Sequence, residues 1–142
     1  MKLHKVVLLI IALIVVLTGC GTRGLTGARI DYGTSECYTK EDMDEAIRLI
    51  EAEFATWEGC QLHRITYGSD EECGEENVAW MNALEAANDA KEHFTECIMF
   101  KSDFRSPKAG GGAWIANYEY TDWQWWLARA EGGEWKLMTW GY

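Results

Sequence analysis

Basic residues and proline are scarce in this chain of 142 residues. It has 13 lysine and arginine residues against 23 aspartate and glutamate residues, and its formal net charge is −10. Because this charge repels the phosphates of nucleic acids, we expect no nucleic acid partner. The single proline, Pro107, lies just before three consecutive glycines, so residues 105–117 are predicted to form a loop.

Long apolar runs are absent except between residues 6 and 17. This run is shorter than the roughly 20 residues that cross a bilayer as a helix and follows two lysines, which is typical of a signal peptide. The ending Leu17-Thr18-Gly19-Cys20 resembles the lipobox of bacterial lipoproteins. The resemblance implies a signal peptide at residues 1–19, a diacylglyceryl group on Cys20 and an extracytoplasmic protein anchored to the cell membrane. An ordinary secretory signal or an uncleaved anchor is the alternative.

The part of the chain after the signal divides into a tether and one domain. Cleavage before Cys20 would remove two lysines and no acidic residue, which changes the formal net charge from −10 to −12. Residues 20–37 are rich in glycine and show no apolar periodicity, so the lipidated cysteine and a flexible tether are predicted there. Residues 38–142 have the length of a single domain.

Groups suited to catalysis are few. After Cys20 the only histidines are His63 and His93, and neither a Gly-x-Ser-x-Gly nor a His-Glu-x-x-His motif occurs. Asp103 and Asp122 could act as an acid and base pair if they shared a pocket. The alternative is that both are solvated carboxylates in turns. We therefore favour a non-enzymatic domain without a cofactor, with a small hydrolase or isomerase as the alternative.

The predicted elements alternate between helix and strand. Thr39 and Asp42 resemble a capping box, and apolar residues recur with helical spacing from Met43 to Trp57. A strand at 60–67, with a bulge, and a second helix at about 75–94 follow. The second helix has a predicted buried stripe of Trp80, Leu84, Ala87 and Phe94, with Met81 alongside.

Three further strands complete the predicted domain, at 97–104, 118–130 and 134–142, and the last two form a hairpin across Gly132-Gly133. The order α-β-α-β-β-β predicts an α+β domain. In this domain two helices cover one face of a curved antiparallel sheet of about four strands.

Four cysteines beyond Cys20 predict two disulfides in an exported chain. If the first strand doubles back along the first helix, Cys37 lies near Cys73 and Cys60 near Cys97. Those are the predicted pairs. A zinc site with His63 or His93 is the alternative, but no C-x-x-C spacing supports it, so no metal is expected.

Tryptophan is concentrated near the predicted hairpin. Six of the eight tryptophans lie between residues 114 and 140. They are Trp114, Trp123, Trp125, Trp126, Trp135 and Trp140. Strand alternation places large aromatic residues on both faces of the sheet, so one face is expected to be exposed and to bind a sugar or a peptide. Cross-strand pairing that only stabilises the sheet is the alternative.

The segment from Trp123 to Tyr142 resembles small lipoproteins of Gram-positive anaerobes, a group with no assigned activity. Tyr38-Thr39-Lys40-Glu41-Asp42, Gly59-Cys60-Gln61-Leu62 and Ser102-Asp103-Phe104 share the resemblance. In fold, the predicted order is similar to the nuclear-transport-factor-like or cystatin-like α+β roll, which hosts unrelated functions. We expect a lipid-anchored binding domain for an unknown ligand, or an immunity-type envelope protein that binds one cognate protein.

Overall fold

The computed structural model of the chain describes residues 24–142. The predicted signal peptide and the lipidation site at Cys20 therefore lie outside the described residues. The elements in chain order are β1 (Arg29–Asp31), α1 (Lys40–Phe54), β2 (Gln61–Tyr67), α2 (Glu75–Ala87), β3 (Glu96–Arg105), β4 (Glu119–Arg129) and β5 (Lys136–Gly141). A short 3₁₀ helix at Asp70–Cys73 precedes α2. Neither α1 nor α2 is long and apolar enough to cross a membrane.

Helix α1 begins at the predicted capping box. The Asp42 N–H donates to the Thr39 hydroxyl at 3.2 Å, and the Thr39 N–H donates to the Asp42 carboxylate at 3.0 Å. The helix buries four residues of the predicted stripe: Met43, Ile47, Ile50 and Phe54. It ends at Phe54, so Trp57 lies in the following turn and is half-buried.

The sheet has the order β1-β2-β3-β4-β5. Strands β2 to β5 form the predicted antiparallel meander, and the predicted bulge of β2 lies between Leu62 and Arg64. The β4–β5 hairpin turns at Gly132, whose φ of +67° favours glycine, and the Gly133 N–H donates to the Ala130 carbonyl at 2.8 Å. The helices and this meander confirm the predicted α+β class.

The prediction of a flexible tether is wrong for the residues next to the domain. Strand β1 pairs in parallel with β2 and places Ile30 opposite Ile65. Before it, the backbone N–H and hydroxyl of Thr26 donate to the Glu51 carboxylate at 3.1 and 2.8 Å. The sheet is therefore mixed and has five strands. A three-residue strand is too short to show a periodicity, so its pairing depends on contacts distant in sequence.

The two helices lie on opposite faces of the sheet, which corrects the prediction that both cover one face. Strand β3 directs Phe100 and Phe104 into the cluster that contains α1, whereas Cys97 and Met99 belong to the cluster that contains Met81 of α2. Because both faces of β3 are apolar, each face needs its own cover. The helices supply that cover, one on each side.

Helix α2 ends at Ala87 and not near Phe94. Its fully buried apolar residue is Met81, whereas Trp80, which was predicted to be buried, is 40% exposed. Phe94 is buried but belongs to the segment that returns to β3. There its N–H donates to the Asn82 side chain at 2.8 Å, and the Asn82 amide donates to the Phe94 carbonyl at 2.9 Å. The predicted buried stripe of α2 therefore combined residues of the helix with Phe94, which lies in the segment between α2 and β3.

Candidate functional site

Two of the six candidate tryptophans are part of the core under α1. Trp125 is fully buried, and its indole N–H donates to the Ser102 hydroxyl at 2.8 Å. Trp135 is 6% exposed, and its indole N–H donates to the Asp42 carbonyl at 3.0 Å. These hydrogen bonds satisfy both indoles inside the protein. Neither ring is accessible to a ligand in this structure.

Trp114 and Trp123 belong to an aromatic cluster beneath the loop at 106–118. Their ring centroids lie 5.7 Å apart, and both rings meet Phe104 edge to face, at 5.4 and 5.6 Å. The indole nitrogen of Trp123 is buried with no hydrogen-bond partner among residues 24–142. This cluster closes the end of the α1-side core, and Trp57 and Tyr120 pack into it.

The remaining two candidates, Trp126 and Trp140, line a groove at the end of β5. The groove has a volume of 120 Å³. Its other lining residues are Trp80, Gln124, Thr139, Gly141 and Tyr142. We call this set the aromatic groove.

The aromatic groove is formed by residues of β4 and β5 and by an edge-to-face contact between the Trp80 and Trp126 rings. Thr139 of β5 lies directly opposite Trp126 of β4. The Trp80 ring of α2 meets the Trp126 ring edge to face, with centroids 5.1 Å apart. Gly141, with a φ of +142°, turns the chain so that Tyr142 packs edge to face on Trp123 at 5.1 Å. The floor, Trp126, is 8% exposed, and Trp80 is 40% exposed. Trp140 borders the groove from the other face of the sheet, because it lies opposite Trp125 in register and its ring is 5.9 Å from the Trp125 ring.

The side chains of the aromatic groove offer hydrogen-bonding groups but no charge. The Trp126 indole N–H donates to the side-chain oxygen Oε1 of Gln124 at 3.0 Å. The two hydrogens of the Gln124 side-chain amide are not used in this hydrogen bond. Within residues 24–142 this amide nitrogen and the Thr139 hydroxyl have no protein hydrogen-bond partner. None of the lining side chains is charged. The arrangement suits a neutral group that has one flat apolar face and polar edges.

Trp80, Gln124, Thr139 and Tyr142 were not predicted as site residues. Strand alternation alone could have placed Gln124 beside Trp126, because both face the α2 side. No comparable signal marks Trp80, whose exposure depends on how α2 is rotated against the sheet. That rotation follows from the burial of Met81.

Asp103 and Asp122 are neighbours in the structure, but the contact joins the backbone N–H of Asp122 to the carboxylate of Asp103. The Asp122 N–H donates to the Asp103 carboxylate at 3.1 Å, where Asp122 has a φ of +57°. Arg64 forms an ion pair with the same carboxylate at 3.0 Å. Neither aspartate lines the aromatic groove. The pair thus stabilises a register shift between β3 and β4 rather than facing a cavity.

The predicted Cys60–Cys97 disulfide is wrong for this topology. Gln61, the neighbour of Cys60, pairs with Arg105 at one end of β3, and Cys97 lies near the other end. Eight residues of strand separate Cys97 from Arg105, a distance of about 26 Å, whereas a disulfide requires Cα atoms within about 7 Å. The prediction failed because β2 pairs with β3 in the antiparallel direction.

Cys37 and Cys73 lie near one another beside Asp70, at the end of the sheet where β2 ends. The Tyr67 hydroxyl lies 3.3 Å from the Cys73 sulfur and donates to the Asp70 carboxylate at 2.7 Å. The Ser35 hydroxyl and the Glu36 N–H donate to the same carboxylate at 2.5 and 2.7 Å. These hydrogen bonds lower the pKa of Asp70 to about 2. The predicted Cys37–Cys73 disulfide stays a prediction, since the thiols are free in this structure.

The thiols are poor nucleophiles in these surroundings. Burial raises the pKa of Cys73 to about 11 and that of Cys97 to about 12. Burial also raises the pKa of Cys37 and of Cys60. Because the thiolate is the reactive form, all four groups are held as thiols at neutral pH.

A larger cavity of 450 Å³ lies between α2 and the segment that returns to β3. Its floor includes Val78 and Phe94, and its rim includes Glu75 and His93. The amide of Asn82 in its wall is already bonded to the backbone of Phe94. Among residues 24–142 no group of three or more potential metal ligands occurs.

No family model, curated protein or solved structure matches this chain. The resemblance to lipoproteins of Gram-positive anaerobes and to the α+β roll therefore stays a prediction. A fold alone does not identify a function, which depends on the residues of the site.

Proposed function

We propose that the protein is a lipid-anchored, extracytoplasmic, non-enzymatic domain that binds a neutral glycan chain in the aromatic groove. The observation that carries the proposal is the combination of the Trp80 and Trp126 rings with the free amide of Gln124 and the hydroxyl of Thr139, without a charged side chain. A sugar ring has an apolar face for the indoles and hydroxyl groups for the polar edge. The diacylglyceryl group on Cys20 and the outward location belong to the same proposal.

The size of the groove favours one ring of a longer chain. Cavities that enclose a whole small molecule measure about 300–1,000 Å³, and the aromatic groove measures 120 Å³. A single ring of a polymer needs only to lay one face on the indoles. An anionic polymer is disfavoured by the excess of acidic residues in the chain.

Titration of the protein with neutral oligosaccharides, followed by tryptophan fluorescence and calorimetry, tests the proposal. Uncharged cell-wall glycan fragments and chito-oligosaccharides serve as probes, with apolar peptides for comparison. Trp80→Ala is expected to weaken binding about 5-fold to 150-fold, the range found when an aromatic stacking partner is removed. Gln124→Leu keeps the volume and removes the polar edge, so it is expected to weaken binding as well.

Tyr118→Ala is the matched control, because Tyr118 is an exposed aromatic residue outside the groove. Equal affinity of the wild type and Trp80→Ala would contradict the proposal. Absence of glycan binding, together with capture of one cognate protein that Trp80→Ala no longer binds, would favour the immunity-type alternative.

A further inference from the structure

One end of the molecule exposes apolar side chains. Leu25, Ile115 and Tyr118 are 86%, 60% and 49% exposed. The Tyr118 ring meets Tyr120 edge to face at 5.0 Å, and the Ile115 N–H donates to the Tyr120 hydroxyl at 3.1 Å. We call the end of the sheet that carries the loop at 106–118 the loop end.

The described chain also begins near the loop end. Gly24 lies so close to Glu51, in the last turn of α1, that a Cβ there would overlap the Glu51 carboxylate. The turn that follows α1 packs against the loop at 106–118, since a Cβ atom added to Gly59 would lie 3.0 Å from the Pro107 ring. Cys20 precedes Gly24 by four residues, which span at most about 14 Å when fully extended. A lipid on Cys20 therefore keeps Gly24 close to the membrane.

The loop at 106–118 and the segment at 70–76 differ sharply in charge. Residues 106–118 contain one lysine, Lys108, and no acidic residue. At the opposite end, residues 70–76 contain five acidic residues. An anionic leaflet attracts basic groups and repels acidic ones within a Debye length. The acidic end is thus expected to point away from the membrane.

We propose that the loop end lies on the surface of the membrane that holds the Cys20 lipid, with Leu25, Ile115 and Tyr118 in the headgroup region. The proposal rests on the lipid anchor in the proposed function. Tyrosine is enriched at this depth because its ring is apolar and its hydroxyl is polar. Two acyl chains already hold the protein, so the surface sets its orientation.

The test uses the full lipidated chain in nanodiscs of phosphatidylglycerol and phosphatidylethanolamine. Some lipids carry a nitroxide on the headgroup, and the loss of each amide NMR signal reports its distance from the membrane. Signals of Leu25 and of residues 110–115 are expected to lose intensity severalfold more than those of residues 70–76. Equal loss at both ends, or greater loss at residues 70–76, would overturn the proposal.

The double variant Ile115→Glu/Tyr118→Glu is expected to remove this difference between the two ends. Ala86→Glu/Ala87→Glu adds the same charge at exposed positions of α2 and is expected to leave the difference unchanged. The mass of the N-terminal peptide reports the lipid separately. A chain without the lipid contradicts the anchor and the orientation together, whereas a lipidated chain with equal signal loss contradicts the orientation alone. Glycan binding by the groove is measured independently.

Discussion

The face of the sheet under α1 and the face under α2 differ in how completely they are covered. The α1-side core contains sixteen buried residues, whereas the α2-side core contains six. Both faces of β3 and β4 are equally apolar near the centre of the sheet, as Phe100 and Met99 show. The difference therefore comes from the helices and loops, and the incompletely covered face is the one that forms the aromatic groove.

Each helix is also held by an ion pair to the hairpin strands. Arg129 of β4 donates to Asp42 at the start of α1 at 3.0 Å and to Glu96 at 2.6 Å. Lys136 of β5 donates to the buried Glu85 of α2 at 2.7 and 2.9 Å. The Arg129 guanidinium also lies 4.2 Å from the Trp135 ring. The α1 attachment is the more buried and the better connected of the two.

Trp125→Ala tests the α1 face and has the largest expected effect. It removes a fully buried indole and its hydrogen bond to Ser102, so the free energy of unfolding is expected to fall by about 3–5 kcal/mol. Urea unfolding measures this loss. Trp126→Ala on the α2 face is the control and is expected to cost less, since its ring borders the groove. Equal losses would contradict the difference between the faces.

Cys73→Ser tests a covalent link between the starts of the two helices. We expect non-reducing peptide mapping of the protein, expressed in an oxidising compartment, to find Cys37 joined to Cys73, with Cys60 and Cys97 free. Loss of such a bridge is expected to lower the free energy of unfolding by about 3 kcal/mol. Cys60→Ser is the control, with a small expected effect. A peptide that joins Cys73 to Cys97 would show that the link connects α2 to β3 instead.

Arg129→Met and Lys136→Met compare the two ion pairs. Arg129→Met leaves two carboxylates without their partner and is expected to cost about 2 kcal/mol in global unfolding. Lys136→Met is expected to cost less and to act locally, because α2 forms the smaller core. Hydrogen exchange distinguishes the two cases: protection should fall in α2 alone for Lys136→Met. A uniform fall across the sheet would mean that α2 unfolds together with the rest.

Asp70→Asn has the smallest expected effect and concerns acid stability. Hydrogen bonds from Ser35, Glu36 and Tyr67 hold the pKa of Asp70 at about 2 in the folded state, below the usual value of about 4. The stability that this carboxylate contributes is therefore complete above pH about 4 and is lost as the pH falls towards about 2. Unfolding as a function of pH should be less acid-dependent in Asp70→Asn. An unchanged acid profile would contradict the assignment.

Local signals in the sequence predicted the elements that depend on neighbouring residues. The capping box at Thr39, the stripe of α1 and the hairpin at Gly132 are all present. Each of these features is specified within a few residues by hydrogen bonds or by helical spacing. The end of α2 was not predicted, because Phe94 continues the apolar spacing but belongs to the next segment.

Features that depend on distant pairing were predicted poorly. Strand β1 was missed because its short segment is stabilised by pairing with β2 and by the contact of Thr26 with Glu51. The pairing of Cys60 with Cys97 was wrong because the direction of β2 against β3 separates them. Trp80 was missed as a groove residue for the same reason, since it reaches the groove from another element.

By itself, the sequence determined the α+β class, the charge, the four-strand meander and the aromatic content of both sheet faces, because composition and residue spacing specify these. The predicted lipid anchor also comes from the sequence alone. The tertiary structure decided that the helices cover opposite faces and which aromatic residues stay exposed. The physical reason is that both faces of the sheet are apolar: spacing shows that each must be buried, but only packing selects which helix buries which face and where its cover ends.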